Sequence, residues 1–142
     1  MIVVDANLLV YAYNTGSPHY RESRQWLEEV FSGIEPVGLP WQSIAAFLRV
    51  TTNPRLHGQQ YSLKEAVGTI EDWMAQPNVR ILTPTDNHWE QFRRMIVEGQ
   101  SPGALISDAE LAALTVEYGG VLYTADRDFA RFPGLRWNNP LG

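Results

Sequence analysis

With 142 residues, 44% of them hydrophobic and 19% charged, the chain has the make-up of one folded domain spanning residues 1–142 and not that of a disordered segment. It has no cysteine, which excludes disulfides and thiolate metal sites, and no run of about 18 apolar residues, which excludes a membrane-spanning helix. The net charge of −5 is not that of a typical nucleic-acid binder, although every basic side chain except Lys64 is Arg, a choice suited to planar contacts with carboxylate or phosphate and equally to surface ion pairs.

Ile2-Val3-Val4 is an unbroken apolar run and reads as a strand buried on both faces, as in a parallel sheet covered by helices. Asp5 then falls at the carboxyl end of that strand, where open α/β sheets bind their ligands; the plainer reading makes Asp5 the cap of a helix running to about Tyr13. After the turn cluster at residues 14–18, Ser17 as cap and Pro18 at the first position open a helix to about Phe31. Pro36-Val37-Gly38-Leu39 predicts a second strand, and residues 41–52 predict a helix halted by Asn53-Pro54. Residues 55–61 read as a loop holding Arg55 and His57, followed by a helix from Ser62 to Gln76 and a third strand at residues 79–82. Thr85 caps a helix through Glu98, with Gly99 as its stop. Another helix runs from Ile106 to Gly119-Gly120, then a fourth strand at residues 121–124, a short helix at 126–129 and a last strand at 135–137.

This alternation predicts an α/β fold with a mainly parallel sheet covered by helices, the helices between strands two and three forming an arm beside it. His19, His57 and His88 share no zinc-like spacing and read as ordinary polar residues. The start lacks a basic segment before its apolar run, so no secretory signal is expected and the chain reads as cytoplasmic.

The acidic residues give this frame a chemistry. Ser107 followed by Glu110 predicts a capping box, which gives Glu110 a structural duty and places Asp108 at the first helical position, where the helix dipole favours negative charge. Asp126 and Asp128 follow the fourth strand as Asp5 follows the first, and parallel strands end at one edge. Asp5, Asp108 and the Asp126/Asp128 pair would then converge. Carboxylates so placed repel one another and hold their protons more tightly. A hard divalent cation relieves the repulsion, and Mg2+ takes one or two carboxylates together with waters and substrate phosphate oxygens. Such an ion activates water and stabilises displacement at phosphorus. Without convergence each Asp is a cap or turn residue.

Four stretches carry a family resemblance: Val3-Val4-Asp5-Ala6-Asn7, Phe47-Leu48-Arg49-Val50-Thr51-Thr52-Asn53-Pro54, Ser107-Asp108-Ala109 with Leu111-Ala112-Ala113, and Thr124-Ala125-Asp126-Arg127-Asp128-Phe129. With the ending Arg131-Phe132-Pro133-Gly134-Leu135 and Asn139-Pro140, the chain resembles, over its whole length, PIN-domain ribonucleases of the VapC toxin type from bacterial toxin–antitoxin pairs. The resemblance implies a three-layer α/β/α sandwich and Mg2+- or Mn2+-dependent cleavage of RNA. It makes Asp5, Asp108 and Asp126 metal-binding carboxylates with Asp128 assisting, and Asn7 and Thr124 supports by hydrogen bonding. It also implies a homodimer held inactive by a VapB-type antitoxin that fills the acidic groove.

Arg49 and Arg55 are candidates for RNA phosphate contacts, or else for surface ion pairs. One departure stands out: the family often has a Glu just before Phe-Leu-Arg, and here that position is Ala46. Gln42, one turn earlier on the same helix face, would supply an amide oxygen in its place, or else is a surface amide. The missing Glu bears on metal number and catalytic strength, not on fold. Trp41, Trp73 and Trp89 are possible interface aromatics, with burial expected for each. The leading reading is a metal-dependent endoribonuclease. The alternative is a catalytically weakened PIN domain that binds RNA or antitoxin, and a Mg2+-dependent phosphohydrolase ranks below both because its usual nucleophile loop has no counterpart here.

Overall fold

The computed structural model describes residues 1–55 and 61–142, so His57 lies outside the described residues. Strands β1 (Ile2–Val4), β2 (Val37–Pro40), β3 (Val79–Leu82), β4 (Val121–Tyr123) and β5 (Trp137–Asn138) form one sheet in the order β3-β2-β1-β4-β5. Every neighbouring pair is parallel. The helices are α1 (Ala6–Tyr11), α2 (Tyr20–Phe31), α3 (Trp41–Thr51), α4 (Leu63–Met74), α5 (His88–Glu98) and α6 (Leu105–Glu117), with a 3-10 turn at Arg127–Arg131.

The central strand explains the layers. Its residues are all buried, and their side chains alternate between faces. Ile2 and Val4 join a core with Leu8 and Leu9 of α1, Leu27 of α2, Phe47 of α3 and Trp73 of α4. Val3 joins the opposite core with Met95 of α5, Leu111 and Leu114 of α6, Leu122 and Phe129. The result is the expected three-layer α/β/α sandwich, in which each fully buried Leu or Phe contributes roughly 1.5–3 kcal/mol. Gly38 of β2 is needed for this packing, because a Cβ there would lie 2.6 Å from Leu82 Cδ1.

Several local expectations are corrected. The helices between β2 and β3 do not stand off as an arm: Ile44, Phe47, Ile70 and Trp73 are buried in the first core. α2 begins at Tyr20, after a turn in which Ser17 Oγ accepts the His19 N–H at 3.1 Å. α5 begins at His88, after a similar turn in which Thr85 Oγ1 accepts the Asn87 N–H at 3.2 Å. Gly99 is the C-cap of α5, as expected, with a right-handed φ of −79, and the left-handed residue is Gln100, φ 48. Gly99 is small for another reason: a Cβ would meet the Met95 carbonyl at 2.5 Å and Phe132 at 2.7 Å. β5 starts at Trp137, two residues later than expected. Of Trp41, Trp73 and Trp89, only Trp73 is buried, and Trp41 and Trp89 are exposed. No helix among the described residues is long and apolar enough to cross a membrane.

Candidate active site at the carboxyl edge of the sheet

Because β1 and β4 are parallel neighbours with Val4 opposite Tyr123, Asp5 and Thr124 leave the sheet side by side. The Asp5 N–H extends the ladder to the Tyr123 carbonyl at 3.0 Å. The capping reading of Asp5 is realised, and both oxygens of its carboxylate carry hydrogen bonds. Oδ1 accepts the Ala6 N–H at 2.7 Å and caps α1. Oδ2 accepts the Thr124 hydroxyl at 2.7 Å.

Thr124, fully buried, is the hub of this edge. Its oxygen accepts from Asn7 Nδ2 at 3.3 Å and from the Asp126 N–H at 3.0 Å. The other end of the Asn7 amide accepts the Ala125 N–H at 3.4 Å. Asp126 in turn caps the 3-10 turn, its Oδ1 accepting the Asp128 N–H at 2.8 Å. One chain of hydrogen bonds therefore runs from Asp5 through Thr124 to Asp126 and Asp128.

Asp108 faces these residues from α6. The predicted capping box is not formed: the helix begins at Leu105 with Ala104 as its cap and no side-chain cap bond, so Asp108 stands in the fourth helical position, not the first. Glu110 points instead to His88, 3.4 Å from Nε2. The Asp108 carboxyl is pushed up to about 6, first by burial, then by the charges of Asp126, Asp5 and Asp128. Asp5 is also raised, by burial above all and by Asp126 in addition, against the lowering effect of its hydrogen bonds from Thr124 and Ala6. The structure thus brings all four aspartates into one field. As they stand, no three His, Asp or Glu side chains among the described residues close into a ready-made metal clamp.

Helix α3 approaches this edge without a carboxylate. Ser43 Oγ donates to the Val4 carbonyl at 2.8 Å, and Gln42 Nε2 donates to the Ser107 carbonyl at 2.9 Å, tying α3 to the first turn of α6. Ala46, one turn further along α3, is half-buried. Arg49 and Arg55 are exposed; the Arg55 backbone N–H closes a turn on Asn53 Oδ1 at 2.9 Å.

Two features escaped the sequence reading. The cation that offsets part of the shift at Asp108 is Arg131, whose guanidinium is held by the Gln100 carbonyl at 2.9 Å. His88 is not an ordinary surface residue. Its Nδ1 lies 2.7 Å from Oε2 of Glu117, a carboxylate whose side chain is wholly buried. Oε1 of the same carboxylate accepts the Thr85 N–H at 3.0 Å and the Thr85 hydroxyl at 2.7 Å.

A parallel sheet with grouped aspartates where two adjacent strands end defines an α/β domain with an acidic site at its carboxyl edge. Residues 2–135 match the family model of the PIN domain, and the chain belongs to that family as a VapC-type ribonuclease. Ribonuclease VapC37 of Mycobacterium tuberculosis is 38% identical over 140 residues, which cover 99% of this chain and 97% of that protein. The fold is shared with VapBC2 from Rickettsia felis, solved bound to a DNA fragment from its promoter, at TM-score 0.72 and 16% identity over 98% of each chain. It is shared too with M. tuberculosis VapC20, described as a sarcin-ricin loop cleaving toxin, at TM-score 0.68 and 19% identity over 96% of this chain and 99% of that one.

Proposed function

We propose that the chain is the toxin of a VapBC-type toxin–antitoxin pair and hydrolyses RNA phosphodiester bonds at the aspartate cluster with Mg2+ or Mn2+. The observation that carries this is the convergence of Asp5, Asp108 and Asp126 from three different elements onto one edge. The donor set, all carboxylate oxygen with no thiolate or imidazole, suits a hard cation that keeps some waters and shares its sphere with phosphate. Asp5, Asp108 and Asp126 would hold the ion and Asp128 assist. When bound, such an ion neutralises phosphate charge and renders a water more acidic.

The protein's own work is positioning. Thr124 and the Ala6 N–H fix both oxygens of Asp5, so its carboxylate is oriented before any ligand arrives. Asn7 braces Thr124. The Gln42 bond to Ser107 sets α6, and with it Asp108, against α3. Exposed Arg49 and Arg55 are suited to phosphates flanking the scissile bond. A homodimer and inhibition by a VapB-type antitoxin belong to the same proposal; the VapBC2 complex of R. felis supports the pairing.

The test is cleavage of a mixed tRNA and rRNA substrate with Mg2+ or Mn2+, with EDTA, and with Asp5→Asn. Metal-dependent cleavage that disappears in the variant is the expected result. Ala46, where the family often has a Glu, favours a second reading, a weakened domain that grips RNA or antitoxin without cutting. Folded protein that binds RNA and leaves it intact under every metal condition would establish that reading instead.

A further inference from the structure

We infer that the cleft beside the aspartate cluster holds one unstacked base of the RNA, with guanine as the base it fits best; this rests on the ribonuclease reading. The cleft, about 200 Å3, opens at the same carboxyl edge, its floor including Pro40 at the end of β2 and Leu82 at the end of β3. It adjoins the proposed catalytic site through Gln42, which lines it and bonds to Ser107, the residue before Asp108. A nucleotide next to the scissile phosphate would find this cleft within its reach.

The lining suits a base and not a phosphate. Trp41, 52% exposed, offers an indole for stacking, and Pro40, Pro84 and Leu114 supply apolar walls; single-stranded RNA is recognised by just such stacking of splayed-out bases. The polar rim is formed by the Gln42 amide and the Glu110 carboxylate. Gln42 gives one N–H to the Ser107 carbonyl and keeps its second N–H and its amide oxygen. Glu110 lines the cleft and is 44% exposed at its side chain. His88, also lining it, is fixed by buried Glu117, so Glu110 has a rigid neighbour to rest against.

A carboxylate at the rim repels phosphate but accepts two parallel N–H bonds, and the N1–H and N2–H edge of guanine provides them. Adenine and cytosine offer one exocyclic amine each. Uracil has a single N3–H flanked by two carbonyls, so it gives the carboxylate one bond while its carbonyls face it, and it is disfavoured.

The experiment uses the full chain as Asp5→Asn in EDTA, so that binding is read without cleavage, with GMP and UMP as probes that share a phosphate and differ in base. Titrations followed by tryptophan fluorescence should show GMP binding tighter than UMP by about tenfold, one good bidentate contact. Adding Trp41→Ala should weaken GMP by about tenfold, one lost stacking face. Adding Glu110→Gln should erase most of the GMP preference, because its side chain exchanges one acceptor for a donor. Trp89→Ala, exposed on α5, should change neither. Equal binding of GMP and UMP, or GMP binding indifferent to Trp41→Ala, overturns the inference. The two readings fail separately: metal-dependent cleavage by the unmodified chain with no GMP preference sinks the base site alone, whereas selective GMP binding without cleavage under any metal sinks the nuclease alone.

Discussion

Thr124 donates its hydroxyl to Asp5 at 2.7 Å while the same oxygen accepts the Asp126 N–H at 3.0 Å, so one buried hydroxyl sets the orientation of two of the proposed metal-binding residues. Thr124→Val keeps the shape and removes both bonds together with the one from Asn7 Nδ2. The Asp126 N–H loses its acceptor at the edge of the core, which costs about 1–3 kcal/mol. Urea denaturation should register that loss, and RNA cleavage should fall further than stability alone explains. Thr124→Ser keeps the hydroxyl and should restore most of both. Full activity in Thr124→Val would show that Asp5 needs no such support.

The crowding of the aspartates has a signature in pH. Asp108 is raised from 3.8 to about 6, so between these values the metal-free folded state binds more protons than the unfolded one. Stability then falls as pH rises through that window, the reverse of the usual carboxylate. In EDTA, Tm should decrease from about pH 4 to about pH 6, and Asp108→Asn should flatten this slope. Mn2+ should reverse it, since the ion binds the charged carboxylates of the folded state. A Tm that rises across the window in EDTA, equally in both proteins, would contradict the proposed repulsion.

How far the sequence discloses this site depends on the range of the interactions. Asp5 is legible because a short apolar run ends in it, and Asp126 because the pattern repeats at β4; parallel pairing then places both at one edge. The helix starts are not legible in the same way. Ser17 and Thr85 look like caps, but each oxygen accepts an N–H two residues on and forms a turn before the helix begins, and that local competition has no distinct sequence pattern. The same holds for Ser107 and Glu110, whose capping spacing lies inside α6. Contacts between distant residues leave no trace in one sequence: Gln42 meets Ser107 from 65 positions away, and His88 meets Glu117 from 29.

Glu117 offers a control that separates scaffold from chemistry. Its carboxylate satisfies two donors of Thr85 and one ring nitrogen of His88, all beside the start of α5. Glu117→Ala should cost about 3 kcal/mol, a value at the high end for single substitutions, because several partners are orphaned together. Thermal denaturation should show the loss, while metal-dependent cleavage per folded molecule at low temperature should persist, with only the base preference weakened through His88 and Glu110. Loss of cleavage from fully folded Glu117→Ala would assign this network to the reaction itself.

Ala46 permits the reciprocal experiment, adding a carboxylate instead of removing one. The position lies one helical turn beyond Gln42 and Ser43 on α3, and Ser43 Oγ touches the Val4 carbonyl next to Asp5. A Glu there would add an acid to α3, which has none of its own. Without metal, Ala46→Glu adds to the repulsion and should lower Tm. With metal, the added oxygen should tighten Mn2+ binding by about tenfold, the scale seen when the surroundings of a metal site are altered, and raise Tm above that of the unmodified chain. Calorimetric titration with Mn2+ reads the affinity directly. A lower Tm with and without metal, at unchanged affinity, would mean that α3 does not face the ion and that Ala46 is no gap in the coordination set.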